Sequence, residues 1–528
     1  MSRAGEEQSG FGRQLNRVFL AYLGGFALFM VLLYGLERLG LSREAIGLIF
    51  LLATAALYAV IGIVSRTTDP AEYYVAGRRV PAIYNGMATA ADWMSAASFI
   101  GLAGTLYLQG FNGLAFVLGW TGGYCLVALL LAPYLRRFGG FTIPDFLDER
   151  YGGNWPRLLG VLASILCSFT YVVAQLYGVG LIAAHLTGIA FELGVFLGLG
   201  GMLICSFLGG MRAVTWTQVA QYLLILVAFL LPVSLLSLKQ TGSPLAPLVY
   251  GQQLDRVSAR EQELVRDPFE RDVMSIYRYE AEQLRAKLEN PAEALARDRE
   301  RAQRWLEDLR ALEVAPDDLA AAERELYQLP RDEASARRSW TLALKEAEAK
   351  LQPLAGMTPH AQPYAGDPDG DERQRQQFED SRLNFLALVF CLMVGTASLP
   401  HVLARYYTVP GVRQARTSVA WTLFFIALVY LAAPALAVLV KHEILYELVG
   451  TRFNAMPEWV DAWSRLDPEL LRLRDINIDR VLQFNEISLG GDMIMLASAE
   501  IAGLPHVVSG LIAAGALAAA LSTADGLL

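Results

Sequence analysis

The stretch VPAIYNGMATAADWMSAASFIGLAG, Val80 to Gly104, is long enough to cross a hydrocarbon core, which takes roughly 20 apolar residues per helix. It nevertheless carries Asn85, Thr89 and Asp92 at i, i+4 and i+7, all on one helical face, followed by Ser95. Gly86, Gly101 and Gly104 interrupt the same run. Ionisable groups in membrane helices are costly and face a cavity or one another. A helix that unwinds part-way also frees backbone carbonyls, and discontinuous helices near the midplane hold the ligands of secondary transporters. The small residues are read as close packing contacts. Asp92 is read as functional.

The composition around this stretch agrees with a membrane protein. Of 528 residues, 54% are hydrophobic and 18% charged, against roughly 25% charge in soluble domains. Residues 241–383 hold 21 Lys/Arg and 29 Asp/Glu, which is the whole of the net charge of −8. That balance is a solvated surface and gives no basis for nucleic-acid binding. Cys125, Cys167, Cys205 and Cys391 each stand alone in apolar runs, so no metal knuckle or redox pair is spelled out. The first 17 residues are polar, and the apolar run after them lacks a small-residue cleavage site, so it reads as a retained span.

Apolar runs fall near 17–37, 45–65, 81–109, 112–134, 157–187, 189–209, 216–239, 384–408, 417–440 and 506–528. These predict ten membrane helices, with 493–504 too short to span and read as interfacial. Every second short loop is basic: Arg66, Arg78 and Arg79; Arg136, Arg137, Arg150 and Arg157; Arg212; Arg405, Arg413 and Arg416. Short basic loops are cytoplasmic. The N-terminus, with Arg3, Arg13 and Arg17, falls on that side, and the insert and the loop 441–491 on the other. The division is 1–44 (tail and an extra helix), 45–239 (membrane helices), 240–383 (charged helical insert) and 384–528 (further membrane helices and a loop). In the insert, Leu284, Leu288, Leu295, Leu306, Leu309 and Leu312 recur at helical spacing among charge pairs, and Asn290-Pro291 marks a break. A small antiparallel bundle or hairpin outside the membrane is expected, either a spacer or a docking module. The Pro/Gly/Asp-rich stretch 353–372 reads as a flexible return linker.

Three more polar places stand in apolar runs. Ser164, Ser168, Tyr171 and Gln175 form one helical stripe, which either lines a cavity or bonds neighbouring helices. In FCLMVGTASLPHVLARYY, Gly395, Thr396 and Pro400 break the ladder, and His401 reads as a packing or capping residue. In GLIAAGALAAALSTADGLL, Gly510 to Leu528, the hydroxyls of Ser522 and Thr523 and the carbonyl of Ala519 can point into one small space. Three hard oxygens suit a hard cation. The other reading is that each hydroxyl bonds back to its own i−4 carbonyl.

Four segments together resemble the sodium:solute symporter family: EYYVAGRRVPAIYNGMATAADWMSAASF, FGGFTIPDFLDERYGG, SFLGGMRAVTWTQVAQ and GLIAAGALAAALSTADGLL. The resemblance covers about 45–239 and 384–528. It implies an all-α integral membrane protein, a leucine-transporter-type bundle of inverted repeats, with core helices 1–5 in 45–239 and 6–8 in 384–528. On this reading the last core helices are absent and the chain is a fragment. The resemblance also implies a sodium site between core helices one and eight. Its ligands would be the carbonyls of Ala90, Trp93 and Ala519 and the hydroxyls of Ser522 and Thr523, with Asp92 needed for coupling. Proline- and sugar-carrying members have an aspartate after Trp-Thr, where Gln218 follows Trp216-Thr217 here. This departure, and the GTASLPH run, resemble the acetate-permease-like branch.

The expected function is therefore sodium-coupled symport of a small organic anion, an acetate-like monocarboxylate, in a bacterial inner membrane. Sodium is the coupling ion, and no cofactor and no enzyme activity are expected. Candidates for the substrate cavity are Asn85, Thr89, Ser95, Ser168, Tyr171, Gln175, Gly395 and Thr396. The large-subunit type of relative implies a small two-helix membrane protein as partner. The alternative is a transporter-like sensor domain of a signalling protein.

Overall fold

A computed structural model describes residues 3–312 and 316–528. The chain is helical almost throughout. The helices used below are α1 Arg3–Arg38, α2 Arg43–Val64, α3 Ala82–Trp93, α4 Leu102–Gln109, α5 Leu114–Leu126, α6 Asn154–Thr187, α7 Phe191–Thr241, α8 Ala246–Arg266, α9 Pro268–Glu289, α10 Pro291–Ala311, α11 Pro316–Gln328, α12 Glu333–Lys350, α13 Glu372–Ala397, α14 Val412–Tyr430, α15 Ala432–Glu443 and α16 His506–Leu527. The strands β1 (Leu471–Leu473) and β2 (Ile487–Leu489) pair antiparallel, Leu471 opposite Leu489.

Among the described residues, eight helical stretches are long and apolar enough to cross a membrane, not ten. The expected span 81–109 is split. α3 stops at Trp93, Met94 leaves helical geometry (φ −79, ψ 72), and a π-helical turn over Ala97–Gly101 leads into α4. Two other expected spans, 189–209 and 216–239, run into one element, α7, bent at Gly210. The positive φ of Gly210 (51°) explains the bend, because a side chain there would be strained and would strike the backbone of Tyr73. The run 384–408 ends early, at Ala397, because Pro400 cannot continue the ladder.

The last helix, α16, is the axis of the bundle. It is buried from Val507 through Asp525, wrapped by α7, α6, α2 and α3. Its residues are mostly Ala, Gly and Leu, which lets backbones approach closely. The expected interfacial helix 493–504 instead lies inside the protein. Met493, Ile494, Met495 and Leu496 are buried, and the short helix Gly491–Leu496 packs on α4. Its apolar side chains find a protein groove, which removes the reason to lie at an interface.

Among the described residues, the charged insert folds as five α-helices, α8 to α12. Val273, Tyr277, Leu284, Leu295, Ala336 and Trp340 form a core of their own. Leu306 is buried, whereas Leu312 is exposed at the end of α10. The insert and the loop after α15 pack into one body. Glu270 accepts the backbone N–H groups of Phe484 (2.5 Å) and Asn485 (3.0 Å), and Asn485 donates to the carbonyl of Lys350 (3.0 Å). The expected flexible linker 353–372 is instead tied down at its start. Leu354 and His360 are buried, the amide of His360 donates to Glu261 (2.9 Å), and its carbonyl accepts from Phe111 at the end of the α4–α5 turn (3.0 Å). Glu261 forms an ion pair with Lys441 of α15 at 2.8 Å, with both side chains 1% exposed. The insert thus grips the membrane bundle beside the second half of the broken helix.

Candidate functional site

The break after Trp93 sits against the last turns of α16. The Ser522 hydroxyl donates to the carbonyl of Ala91 (2.7 Å) and to that of Ala519 (2.9 Å). The Thr523 hydroxyl donates to the carbonyl of Asp92 (2.9 Å) and to that of Ala519 (3.3 Å). Five hard oxygens from two helices therefore meet in one buried place. The facing carbonyls belong to Ala91 and Asp92, one register inside the expected Ala90 and Trp93. The Ala90 carbonyl instead caps the helix through the amide of Met94 (2.9 Å), and the Trp93 carbonyl accepts from the amide of Ser95 (3.0 Å). The chain turns sharply after Trp93, and the two carbonyls just before that last residue of α3, those of Ala91 and Asp92, are the ones aimed at α16.

The Asp92 side chain enters a charged cluster beside the same helix, close to Gly526. Arg405 donates from Nε to Asp92 Oδ2 at 3.0 Å, and neither side chain is exposed. Arg405 also donates to Thr215 Oγ1 (3.2 Å) and to the side-chain oxygen of Gln218. Gln218 completes the ring. Its amide nitrogen donates to Asp92 Oδ1 (3.2 Å) and to the carbonyl of Ser522 (2.7 Å). Arg405 was expected in a cytoplasmic loop; here it is buried. Pro400 starts a new short helix, Pro400–Ala404, and the 3-10 turn Arg405–Tyr407 after it lies against α3. From that turn Arg405 reaches Asp92, and Thr408, three residues on, donates to Asn85 (2.8 Å).

That contact reassigns two of the cavity candidates. Asn85 also donates to Ser418 of α14 (2.8 Å), and Thr89 bonds back to the carbonyl of Asn85 (2.7 Å). Asn85 is a joint between helices, beside Gly86, which brings α3 almost onto Trp421 of α14, whereas the Thr89 bond stays within α3. Gly395 and Thr396 are also away from the break. Thr396 bonds to the carbonyl of Leu392 within α13 and packs on Gly123 of α5, and Gly395 is exposed.

Of the other candidates, Ser95 lies in the break and Tyr171 and Gln175 reach it. Gln175 accepts the amide N–H of Ala96 (2.9 Å). Tyr171 interacts with Ser95 and stands 5.8 Å, ring to ring, from His401. Ser168 is half-buried one turn before Tyr171. Ser98 is 3.1 Å from the hydroxyl of Tyr430. His401 is buried with an unpartnered Nδ1 among the described residues. The break thus carries hydroxyls, an amide and an imidazole, while the full charges are drawn off to the Asp92 cluster. Arg405 and His401 were both missed as site residues. The signal available was a single Arg and a single His within an apolar run broken by proline.

Eight apolar spans among the described residues indicate a multi-pass membrane protein. The comparisons place it more narrowly. The family described as the sodium:solute symporter family matches residues 73–276, which include Asp92 and Gln218. An uncharacterized symporter of Cupriavidus necator is 52% identical, over 99% of this chain and 76% of its own length. The chain belongs to the sodium:solute symporter family. Among solved structures, a Na+-coupled sialic acid symporter in its substrate-bound, outward-open state is similar over 92% of this chain and 71% of its own, with a TM-score of 0.47 and 14% identity.

Proposed function

We propose that this protein is a sodium-coupled symporter for a small organic anion, of the acetate-like monocarboxylate class. One observation carries the reading: the Ser522 and Thr523 hydroxyls bridge α16 to the carbonyls of Ala91 and Asp92 at 2.7 and 2.9 Å. Sodium would replace these hydrogen bonds as the bridge and be held by the same five oxygens, which are hard donors, with the hydroxyls keeping their hydrogens turned away from the ion. The ion would then fasten the broken helix to α16, so that its arrival and departure change how α3 sits. Uptake of the solute and of sodium are linked by that joint.

The solute would bind at the unwound residues, among Ser95, Tyr171, Gln175, Ser98, Tyr430 and His401. These side chains are neutral and bear hydrogen-bonding groups that would meet the oxygens of a small anion. In the expected orientation the insert lies on the extracytoplasmic side, above α4. With one sodium and one monovalent anion the membrane potential cancels, and a tenfold sodium gradient supplies roughly 1.4 kcal/mol.

Proteoliposomes carrying the full-length protein should take up labelled acetate, propionate, lactate or pyruvate when sodium is imposed outside. Uptake should collapse when choline replaces sodium. Sodium-independent uptake would remove the coupling, and sodium-driven uptake of larger solutes alone would remove the anion class.

A further inference from the structure

Asp525 is the buried charge that the site described above leaves unused. It lies three residues after Ser522 on α16, is 5% exposed, and its Oδ1 has no hydrogen-bond partner among the described residues. It is within electrostatic reach of Asp92 and Arg405. The next residue shows how near Asp92 comes: a Cβ on Gly526 would fall 2.0 Å from Asp92 Oδ1. Glycine at 526 is what lets the Asp92 carboxylate rest on the backbone beside Asp525.

Resting on the proposed function, we infer that Asp525 is the charged ligand of the coupling cation, and that the cluster accepts one monovalent cation and no more. The count follows from the side chains. Asp92 and Asp525 bring two negative charges, Arg405 brings one positive charge, and Gln218, Thr215, Ser522 and Thr523 bring none. A buried uncompensated charge is expensive, so Asp525 carries its negative charge only when one cation accompanies it. Arg405 is already committed to Asp92 and Gln218, which leaves the open oxygen of Asp525 to meet it. The carboxylate that the proline and sugar carriers place after Trp-Thr would enter here from α16, and Gln218 would serve to hold Arg405 and Asp92 in place.

The test is the sodium-dependent rise in the thermal unfolding temperature of the purified full-length protein, with choline keeping ionic strength constant. A ligand that binds only the folded state stabilises it in proportion to the logarithm of its concentration. The wild type should show the slope of a single ion. Asp525→Asn should raise the half-effective sodium by at least about tenfold, as expected for loss of a charged contact. Gln218→Asp added to Asp525→Asn should bring it back, because the charge returns from α7. A slope of two ions, or an Asp525→Asn variant with the wild-type midpoint, overturns the proposal. If Asp525→Asn does not fold, the double variant decides: recovery of folding and of the sodium response supports the proposal, and failure of either overturns it. Ser522→Ala separates the two levels. A shifted midpoint there beside an unshifted Asp525→Asn removes only the role of Asp525, whereas a wild type insensitive to sodium removes the proposed function itself.

Discussion

Arg405 Nε stands 3.0 Å from Asp92 Oδ2, fully buried, joining residues 313 positions apart. The pair fixes the turn after Pro400 onto the last turn of α3, directly behind the carbonyls that face α16. A buried pair of this kind contributes little net stability, but loss of one partner leaves a bare charge. Its position makes it a brace for the broken helix, and Gln218 and Thr215 accept further hydrogen bonds from the guanidinium.

Arg405→Gln and Asp92→Asn should each destabilise the protein by about 3–5 kcal/mol. The double variant should cost less than the two together, by about 0.5–3 kcal/mol. Denaturant unfolding of the four proteins in detergent measures this directly. Additive costs would mean that the two side chains do not act on each other.

The insert should be open to the extracytoplasmic side, and the Arg413 end of the bundle to the cytoplasm. In a cysteine-free background, Arg304→Cys in α10 should react with an impermeant thiol reagent on intact cells. Arg413→Cys should react only after the membrane is opened. Both positions are exposed, so access alone decides the result, and the reverse pattern would invert the topology.

Acid should loosen the clamp between insert and bundle. Burial, then the nearby Lys441 charge, push His360 down to about 3 from 6.5. The folded state therefore binds fewer protons than the unfolded state between those values. The stability that depends on neutral His360 is complete above about pH 6.5 and falls as pH drops toward 3. At about 1.4 kcal/mol per pH unit, the loss between pH 6.5 and 5 is about 2 kcal/mol. Amide exchange at Phe111 and around 353–361 should speed up over that interval in the wild type, and much less in His360→Leu. Equal pH dependence in both would assign the effect to another group.

The membrane character, the interruption after Asp92 and the helical nature of the insert could be read from the sequence because they are local. They are written in apolar run length, in a polar residue among apolar ones, and in leucine spacing. The meeting of Ser522 with the broken helix was legible only through family resemblance, and the register of the facing carbonyls was not, because it depends on how tightly Met94 turns. Arg405 was misread for a physical reason. An arginine after a proline-broken span looks like a loop charge, and only chain closure shows that its partner is Asp92. Asn85 and Thr89 share a face with Asp92, but the closeness of α14 at Gly86 takes Asn85 for a helix contact, and Thr89 bonds back within α3. Gly395 and Thr396 are in a run that does break, yet α13 stands beside α5, away from the unwound residues.

The central claim is that sodium is held between α16 and the broken helix by the hydroxyls of Ser522 and Thr523. Equilibrium binding of sodium-22 to the purified full-length protein tests it most directly. A lost neutral hydrogen-bonding oxygen costs about 0.5–1.5 kcal/mol, so Ser522→Ala and Thr523→Ala should each weaken binding about two- to tenfold. The double variant should show the larger loss while keeping the fold. A double variant that unfolds like the wild type and binds sodium-22 with the wild-type isotherm would contradict the account.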